Sequence, residues 1–392
     1  MTEVQKMALL PTGLADVLPP DATFEAETLH QLMAAFSSNG YERIKPPLIE
    51  FEDSLLGGLG TAMASQTFRI MDPVSQRMMG VRADMTPQVS RIAATRLKKI
   101  ERPLRLSYSG DVLRVKGSQL RPERQFTQVG AEIIGAGQAQ ADAEVILLAI
   151  QSLTDLGVEG LSVDLAIPTL VPALCRELSI SGDTEAQLRI ALDRKDAASV
   201  AGLFDQIGQS SADLLVALLS AAGRADKTMQ ALNTMNFGAE ASTERATLNT
   251  VVDLIKAAAP NSQITIDPVE NRGFEYHCGV TFTFFARGVR GEIGSGGRYL
   301  AENGTADGEA ATGFTLFMDT ILRALPRPQE KNRIYLPFGT SPNAASKLRN
   351  YGWAAVAGLE KQIDEYLEAR RLRCTHVIKN DEIVKLNSDQ EG

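Results

Sequence analysis

The sequence predicts an α+β protein: an antiparallel sheet flanked by helices, a helical segment inserted into it, and a small α/β unit after it. Three observations predict this. Residues 104–114 and 124–134 alternate across a polar loop, the pattern of two paired strands. Residues 167–260 are rich in Ala, Leu, Asp, Lys and Gln and poor in aromatics, a helix-forming composition, and strand patterns resume beyond them. Past Pro326 and Pro328, which read as a linker, residues 332–392 show short strand-like and helix-like stretches of their own.

An amphipathic helix is expected over residues 21–40, because Phe24, Leu29, Leu32, Met33 and Phe36 follow Pro19 and Pro20 at near-helical spacing and Gly40 would end it. Residues 81–97 contain a second helix, with Pro87 in its first turn and Thr86 as N-cap. Side chains just before that helix, Asp84 among them, would face whatever binds at its N-terminus. On the strand 104–114, Leu104, Leu106, Tyr108, Gly110, Val112 and Arg114 share a face. On 124–134, Gln128, Gly130 and Glu132 do the same, and Gly130 leaves a gap between two polar side chains that a small ligand could occupy. Short strands are expected at 161–166, 264–266 and 280–286. The glycines at 291, 294, 296 and 297 read as a turn at a strand end; without the Lys-Ser/Thr of a P-loop they are weak evidence for a phosphate cradle. Residues 313–325 carry an apolar helical or strand-to-helix pattern. In the last unit, strands are expected at 334–337, 354–357 and 375–378 and a helix at 360–371.

A chain of 392 residues suits two or three domains at roughly 100–200 residues each, here 1–325 with its helical insertion and 332–392. The formal net charge is −8 and no long basic run occurs, so the sequence carries no electrostatic footprint for nucleic acid. Three scattered cysteines, Cys175, Cys278 and Cys374, and three histidines, His30, His277 and His376, suggest neither a disulfide framework nor a metal site. The polar N-terminus and the lack of a long apolar run argue against a signal peptide or membrane span and fit a reducing cytoplasm.

Two segments read as the sides of one small-molecule pocket. The first, from Arg105 through Arg114 to Glu132, offers Arg114, Gln128 and Glu132, to which Asp84 and Thr86 add from the start of a helix; the second is Arg272-Gly-Phe-Glu-Tyr-His-Cys-Gly279. Carboxylates and an amide suit an ammonium, and an arginine suits a carboxylate, which together are the needs of a free amino acid. Singly, each residue is ordinary: Gln128 and Glu132 also fit the solvated face of an amphipathic strand, and Arg272 a strand entrance at the surface.

In order, Arg82-Ala-Asp-Met-Thr-Pro-Gln88, Gly110-Asp-Val-Leu-Arg114, Arg124-Gln-Phe-Thr-Gln-Val-Gly-Ala-Glu132, Arg272-Gly-Phe-Glu-Tyr276 and Gly296-Gly-Arg-Tyr299 resemble the histidyl-tRNA synthetase catalytic domain, over roughly residues 10–325. The resemblance implies the class II synthetase core, which usually dimerises. It also implies that Asp84, Thr86 and Gln128 hold the substrate ammonium, Glu132 accepts a hydrogen bond from the imidazole, and Arg272 pairs with the carboxylate in a bidentate fork. After the position of Tyr276 the synthetases place a second tyrosine that meets the imidazole; here that residue is His277.

The nucleotide side departs further from the synthetases. Lys116 stands where a glutamate helps read adenine, Thr320 where an arginine neutralises phosphate, and Phe317 where a glycine admits the nucleotide. The C-terminal unit is shorter than an anticodon-binding domain and not basic, which leaves it either a truncated relic or a docking module. A synthetase-like chain that keeps the amino-acid pocket without these features resembles the regulatory subunits of ATP phosphoribosyltransferase, and residues 82–89 are especially like that group. That resemblance implies no cofactor and no transferase chemistry of the chain's own. It implies instead assembly with a short catalytic subunit, typically as a hetero-octamer, activation of that subunit, and feedback inhibition by histidine at the first step of histidine biosynthesis. The competing readings are a divergent histidyl-tRNA synthetase and a paralogue activating another amino acid, both of which require ATP-dependent pyrophosphate exchange.

Overall fold

The structure, a computed structural model, describes residues 9–270, 277–301, 308–327, 332–379 and 382–386. The chain divides into two units, Met1–Pro326 and Arg327–Gly392. In the first, helix Asp21–Ser38 carries Asp21 in its first turn, where a carboxylate meets the positive end of the helix dipole. It buries Thr28, Leu32, Met33 and Phe36 along one stripe. Gly40 stops it from just outside: at φ +83° it lets its own amide and that of Tyr41 bond back to the Ser37 and Phe36 carbonyls at 3.0 and 3.1 Å.

After β1 (Glu42–Arg43), strands β2 (Ile49–Phe51), β3 (Phe68–Met71) and β4 (Met78–Val81) form a small antiparallel sheet ordered β2-β4-β3. Helix Thr86–Thr95 follows with Pro87 in its first turn. The expected N-cap is corrected here. Thr86 is already helical, and it is Asp84 whose Oδ1 accepts the Thr86 amide at 2.9 Å, which leaves the Thr86 hydroxyl available elsewhere.

The main sheet is built from β1, β5 (Leu104–Leu113), β6 (Gln125–Ile134), β7 (Ser162–Ala166), β8 (Gly223–Arg224), β9 (Gln263–Asp267), β10 (His277–Phe285), β11 (Gly294–Ala301) and β12 (Glu309–Phe317). Its order is β1-β5-β6-β12-β11-β10-β7-β9-β8, and every pairing is antiparallel except β1 with β5 and β7 with β9. The glycines at 294, 296 and 297 lie inside β11 rather than in a turn; only Gly291, at φ +88°, serves the preceding loop. They are strand residues because their neighbours crowd them. A β-carbon at Gly296 would meet the Gly313 carbonyl and the Phe282 ring.

The register gives the sheet two unlike faces. On one, Ala131, Ile133, Phe314, Leu316, Phe282 and Phe284 join Phe36 in the main core, with Phe314 edge-on to Phe36 at 5.5 Å and to Phe284 at 6.4 Å. Helix Ala139–Asp155, an Ala/Val/Ile/Leu run that the sequence reading passed over, joins the same core, and Arg298 of β11 ion-pairs with its Asp142 at 2.7 Å. The other face carries Gln128, Gly130, Glu132, Gly313, Thr315, Ser295, Gly297, Tyr299 and His277. Between β7 and β9 the chain is helical, through helices such as Gly182–Asp193, Gln209–Ser220 and Ala239–Ala258, interrupted only by short β8.

The second unit holds β13 (Arg333–Leu336), β14 (Ala354–Ala357), β15 (His376–Lys379) and β16 (Glu382–Lys385) in the order β14-β13-β15-β16. Its helices are Pro342–Asn350, capped by Ser341, and Glu365–Arg371, capped by Asp364. The first of these and β16 were not expected from the sequence. Among the described residues no helix is long and apolar enough to cross a membrane.

Candidate functional site

Glu132 sits at the centre of the polar face. It is 1% exposed, and three hydroxyls converge on it: Thr86 Oγ1 and Tyr108 Oη on Oε1, and Tyr299 Oη on Oε2, each at 3.2 Å. Burial outweighs these hydrogen bonds and pushes its pKa up to about 8, which favours the protonated carboxyl at neutral pH. Tyr108 lies opposite Gly130 in the strand pair, and a β-carbon at Gly130 would overlap the Tyr108 ring. The gap expected at Gly130 is therefore filled by Tyr108. Glu132 Oε2 likewise takes the place of a β-carbon above Gly313 of β12, one strand over, and the open space borders that carboxyl.

That space is a cavity of about 160 Å³ lined by Asp84, Thr86, Arg114, Glu132, His277 and Tyr299, with Glu292, Ser295, Gly297, Gly313, Thr315 and Phe317 around them. Ligand pockets commonly run to roughly 300–1,000 Å³, so the size suits a molecule no larger than an amino acid. His277 is mostly buried, and burial lowers its pKa to about 4, leaving a neutral imidazole on the cavity wall. Arg114 stands over the Phe126 ring at 5.1 Å and donates from Nε to the Ala83 carbonyl at 3.3 Å.

Gln128 does not line the cavity. Fully buried, it accepts the Met85 amide on Oε1 at 3.0 Å and donates from Nε2 to Asp84 Oδ2 at 2.8 Å, so it fixes the Asp84 carboxylate from behind. The structure thus brings Asp84, Thr86, Arg114, Glu132 and His277 together and sets Gln128 one layer back. Arg272 and Tyr276 lie outside the described residues. Tyr299 was quoted only within a motif; its contact with Glu132 depends on the β11–β12–β6 register, which no local pattern reveals. The places of Ser295 and Thr315 on the cavity wall depend on the same register. Among the described residues no group of three His, Cys, Asp or Glu side chains is placed to hold a metal ion.

Phe317 on the cavity wall is held by aromatic and cationic neighbours. Phe317 packs edge-on against Phe126 at 5.9 Å, and the Arg121 guanidinium covers its ring at 3.7 Å while reaching Asp319 at 3.3 Å. Thr320 is buried and donates its hydroxyl to the Phe317 carbonyl at 3.1 Å. Lys116 is exposed on the loop after β5.

The family model for histidyl-tRNA synthetase matches residues 13–321. A protein named ATP phosphoribosyltransferase regulatory subunit from Rhodospirillum centenum is 56% identical over 371 residues, covering 95% of this chain and 94% of that one. Another of the same name, from Paramagnetospirillum magneticum, is 53% identical and covers 98% and 100%. The chain belongs to this family of regulatory subunits, built on the histidyl-tRNA synthetase domain. Among solved structures, one described as an ATP phosphoribosyltransferase regulatory subunit/histidyl-tRNA synthetase from Bacillus halodurans superposes with TM-score 0.81 at 25% identity, covering 94% of this chain and 97% of that one. Histidyl-tRNA synthetase from Nostoc sp. PCC 7120 superposes with TM-score 0.76 at 16% identity, covering 97% and 95%, which establishes the shared class II fold.

Proposed function

We propose that this chain is a histidine sensor acting as the non-catalytic regulatory subunit of an ATP phosphoribosyltransferase, the first enzyme of histidine biosynthesis. It assembles with a short catalytic subunit as a hetero-octamer, dimerises through its synthetase-like core, enables the partner's activity and conveys feedback inhibition by histidine. The observation that carries the reading is the pairing of an amino-acid-sized polar cavity with a filled nucleotide side. Asp84 and Thr86 take the ligand ammonium with Gln128 holding Asp84 in place, Glu132 meets the imidazole beside Tyr276 and His277, and Arg114 and Arg272 serve the carboxylate. At the other end, Phe317 under Arg121 occupies the room an adenine nucleotide needs, and Thr320 has no charge for a triphosphate. Amino-acid activation rests on positioning and on neutralising phosphate charge, so a chain built this way recognises its amino acid without adenylating it.

The test is to mix the chain with a short-form catalytic subunit and measure phosphoribosyl transfer with and without histidine. A rise in transfer on mixing, reversed by histidine, is the expected result. Flat activity with no complex formed would sink the proposal, and histidine-dependent pyrophosphate exchange by the chain alone would favour the synthetase reading instead.

A further inference from the structure

Residues 82–91 face two ways. Asp84 and Thr86 line the cavity, whereas Arg82, Gln88 and Arg91 reach in another direction, to one surface segment at residues 46–50. Arg82 is 6% exposed, yet among the described residues no carboxylate is hydrogen-bonded to it; Asp111 and Glu50 act on it through space. Its guanidinium donates to backbone carbonyls instead, from Nε to Asp111 at 2.7 Å and from Nη1 to Pro46 at 3.1 Å. Gly110 makes room for it, since a β-carbon there would lie 2.2 Å from Nη2. A buried cation facing carbonyls is costly, but the planar five-donor fork lets one side chain tie β5, the segment 46–50 and the end of β4 together. The Arg82 main chain adds to the tie, its amide donating to the Leu48 carbonyl at 3.1 Å and its carbonyl accepting the Leu113 amide at 3.0 Å.

Gln88, buried in the first turn of helix Thr86–Thr95, holds the same segment from the other side of Asp84 and Thr86 in the chain. Its Nε2 donates to the Pro47 carbonyl and to Glu50 Oε1, each at 2.8 Å. Glu50 in turn accepts Arg91, from Nε at 2.9 Å and from Nη2. Pro46 and Pro47 have fixed φ, so this part of the segment has little freedom to yield. Residues 46–50 lie outside the cavity lining and reach the surface, where Leu48 is 47% and Ile49 38% exposed.

Resting on the reading of this cavity as a histidine site, we infer that Arg82 and Gln88 are positioning residues that tie Asp84 and Thr86 to the surface segment 46–50, so that filling the cavity and setting that segment are coupled. The tie has little slack near the ligand. Arg82 and Gln88 bracket Asp84 and Thr86 in the chain, Asp84 Oδ1 accepts the Thr86 amide at 2.9 Å, and Gln128 holds Asp84 Oδ2 at 2.8 Å. A ligand that draws Asp84 and Thr86 inward therefore pulls on 46–50 through two side chains. By linkage the reverse holds with the same coupling free energy, so whatever fixes Leu48 and Ile49 from outside changes the affinity of the cavity.

Hydrogen exchange read by mass spectrometry on residues 48–51 of the full chain, with and without histidine, tests this beside calorimetry. In the native protein histidine should slow exchange there by about threefold or more, although none of these residues lines the cavity. Arg82→Lys keeps the charge and loses the fork, so it should bind histidine about tenfold more weakly and show no histidine-dependent change at 48–51. Should Arg82→Lys fail to fold by circular dichroism, Gln88→Met, similar in shape but without donors, carries the same expectation. Exchange at 48–51 that is indifferent to histidine in the native chain, or a folded variant that keeps either the native affinity or the native exchange response, would overturn the inference while leaving the histidine site standing. Absence of histidine binding to the native chain would overturn both.

Discussion

Glu132 and His277 face the same cavity and titrate in opposite directions. Glu132 has its pKa raised to about 8, so folding takes up a proton between the ordinary carboxyl range and that value. The stability this gives is fully present below the ordinary carboxyl pKa and is lost as pH climbs to about 8. His277 is depressed to about 4, so its contribution is present above the ordinary histidine range and is lost as pH falls toward 4. Thermal melts across pH 5 to 8 should therefore show Glu132→Gln gaining on the native protein as pH rises, by on the order of a few kcal/mol at pH 8, because the amide has no proton to lose. A pH-independent difference would mean that Glu132 ionises freely in the folded state. The residue types of this site were legible in the sequence, because a carboxylate, a hydroxyl and an arginine around a strand pair are what an amino acid needs. Their division of labour was not. Thr86 reads locally as a helix cap, and only the presence of Asp84 at the Thr86 amide releases its hydroxyl to Glu132.

At the level of elements, β11 shows why a glycine-rich run misleads. Gly294, Gly296 and Gly297 look like a turn because a strand gains nothing from missing side chains. They are in a strand because Phe282, Gly313 and His277 already occupy the space that their side chains would take. Arg298, between these glycines and Tyr299, points to the opposite face and holds helix Ala139–Asp155 against the sheet. It pairs with buried Asp142 and donates to the Ala136 and Gln138 carbonyls at 2.9 Å each. Arg298→Met should lower stability by roughly 3–5 kcal/mol in denaturant titration, because it strands a carboxylate that is 0% exposed. A cost under about 1 kcal/mol would show that Asp142 is readily protonated or reached by water. Residue pattern alone placed β5 and β6 within a residue, although β6 is buried on both faces and its polar Gln128 and Glu132 face a polar interior rather than solvent. The strands of the small β2-β4-β3 sheet are short and largely exposed and left no such pattern.

For the whole molecule, the proposed feedback would require that histidine bind one arrangement of the assembly better than another, because a ligand shifts an equilibrium only by its differential affinity. The lesion that isolates this is Gly313→Ala. The added β-carbon displaces Glu132 Oε2 and also meets the Ala131 backbone carbonyl at 2.6 Å, so β12 must shift against β6, and a thermal melt first establishes that the variant keeps its fold. Mixed with the catalytic subunit, this variant should still form the complex by size-exclusion chromatography, while the histidine concentration needed for half-inhibition of transfer rises by about tenfold or more. An unchanged histidine response would place the effector elsewhere.

The sequence by itself determined the α+β class and the family. Both rest on residue identity and spacing: the order of the motifs and the periodicity of β5 and β6. Only the tertiary structure decided where the cavity lies, which polar residues face it and which stand behind. Tyr108 fills the gap at Gly130, Gln128 backs Asp84, and the cavity is lined by Gly313 and Gly297 together with the Glu132 and His277 side chains packed over them. Those facts depend on the register between strands far apart in the chain, and a register is set by packing across the sheet, which no local stretch of sequence contains.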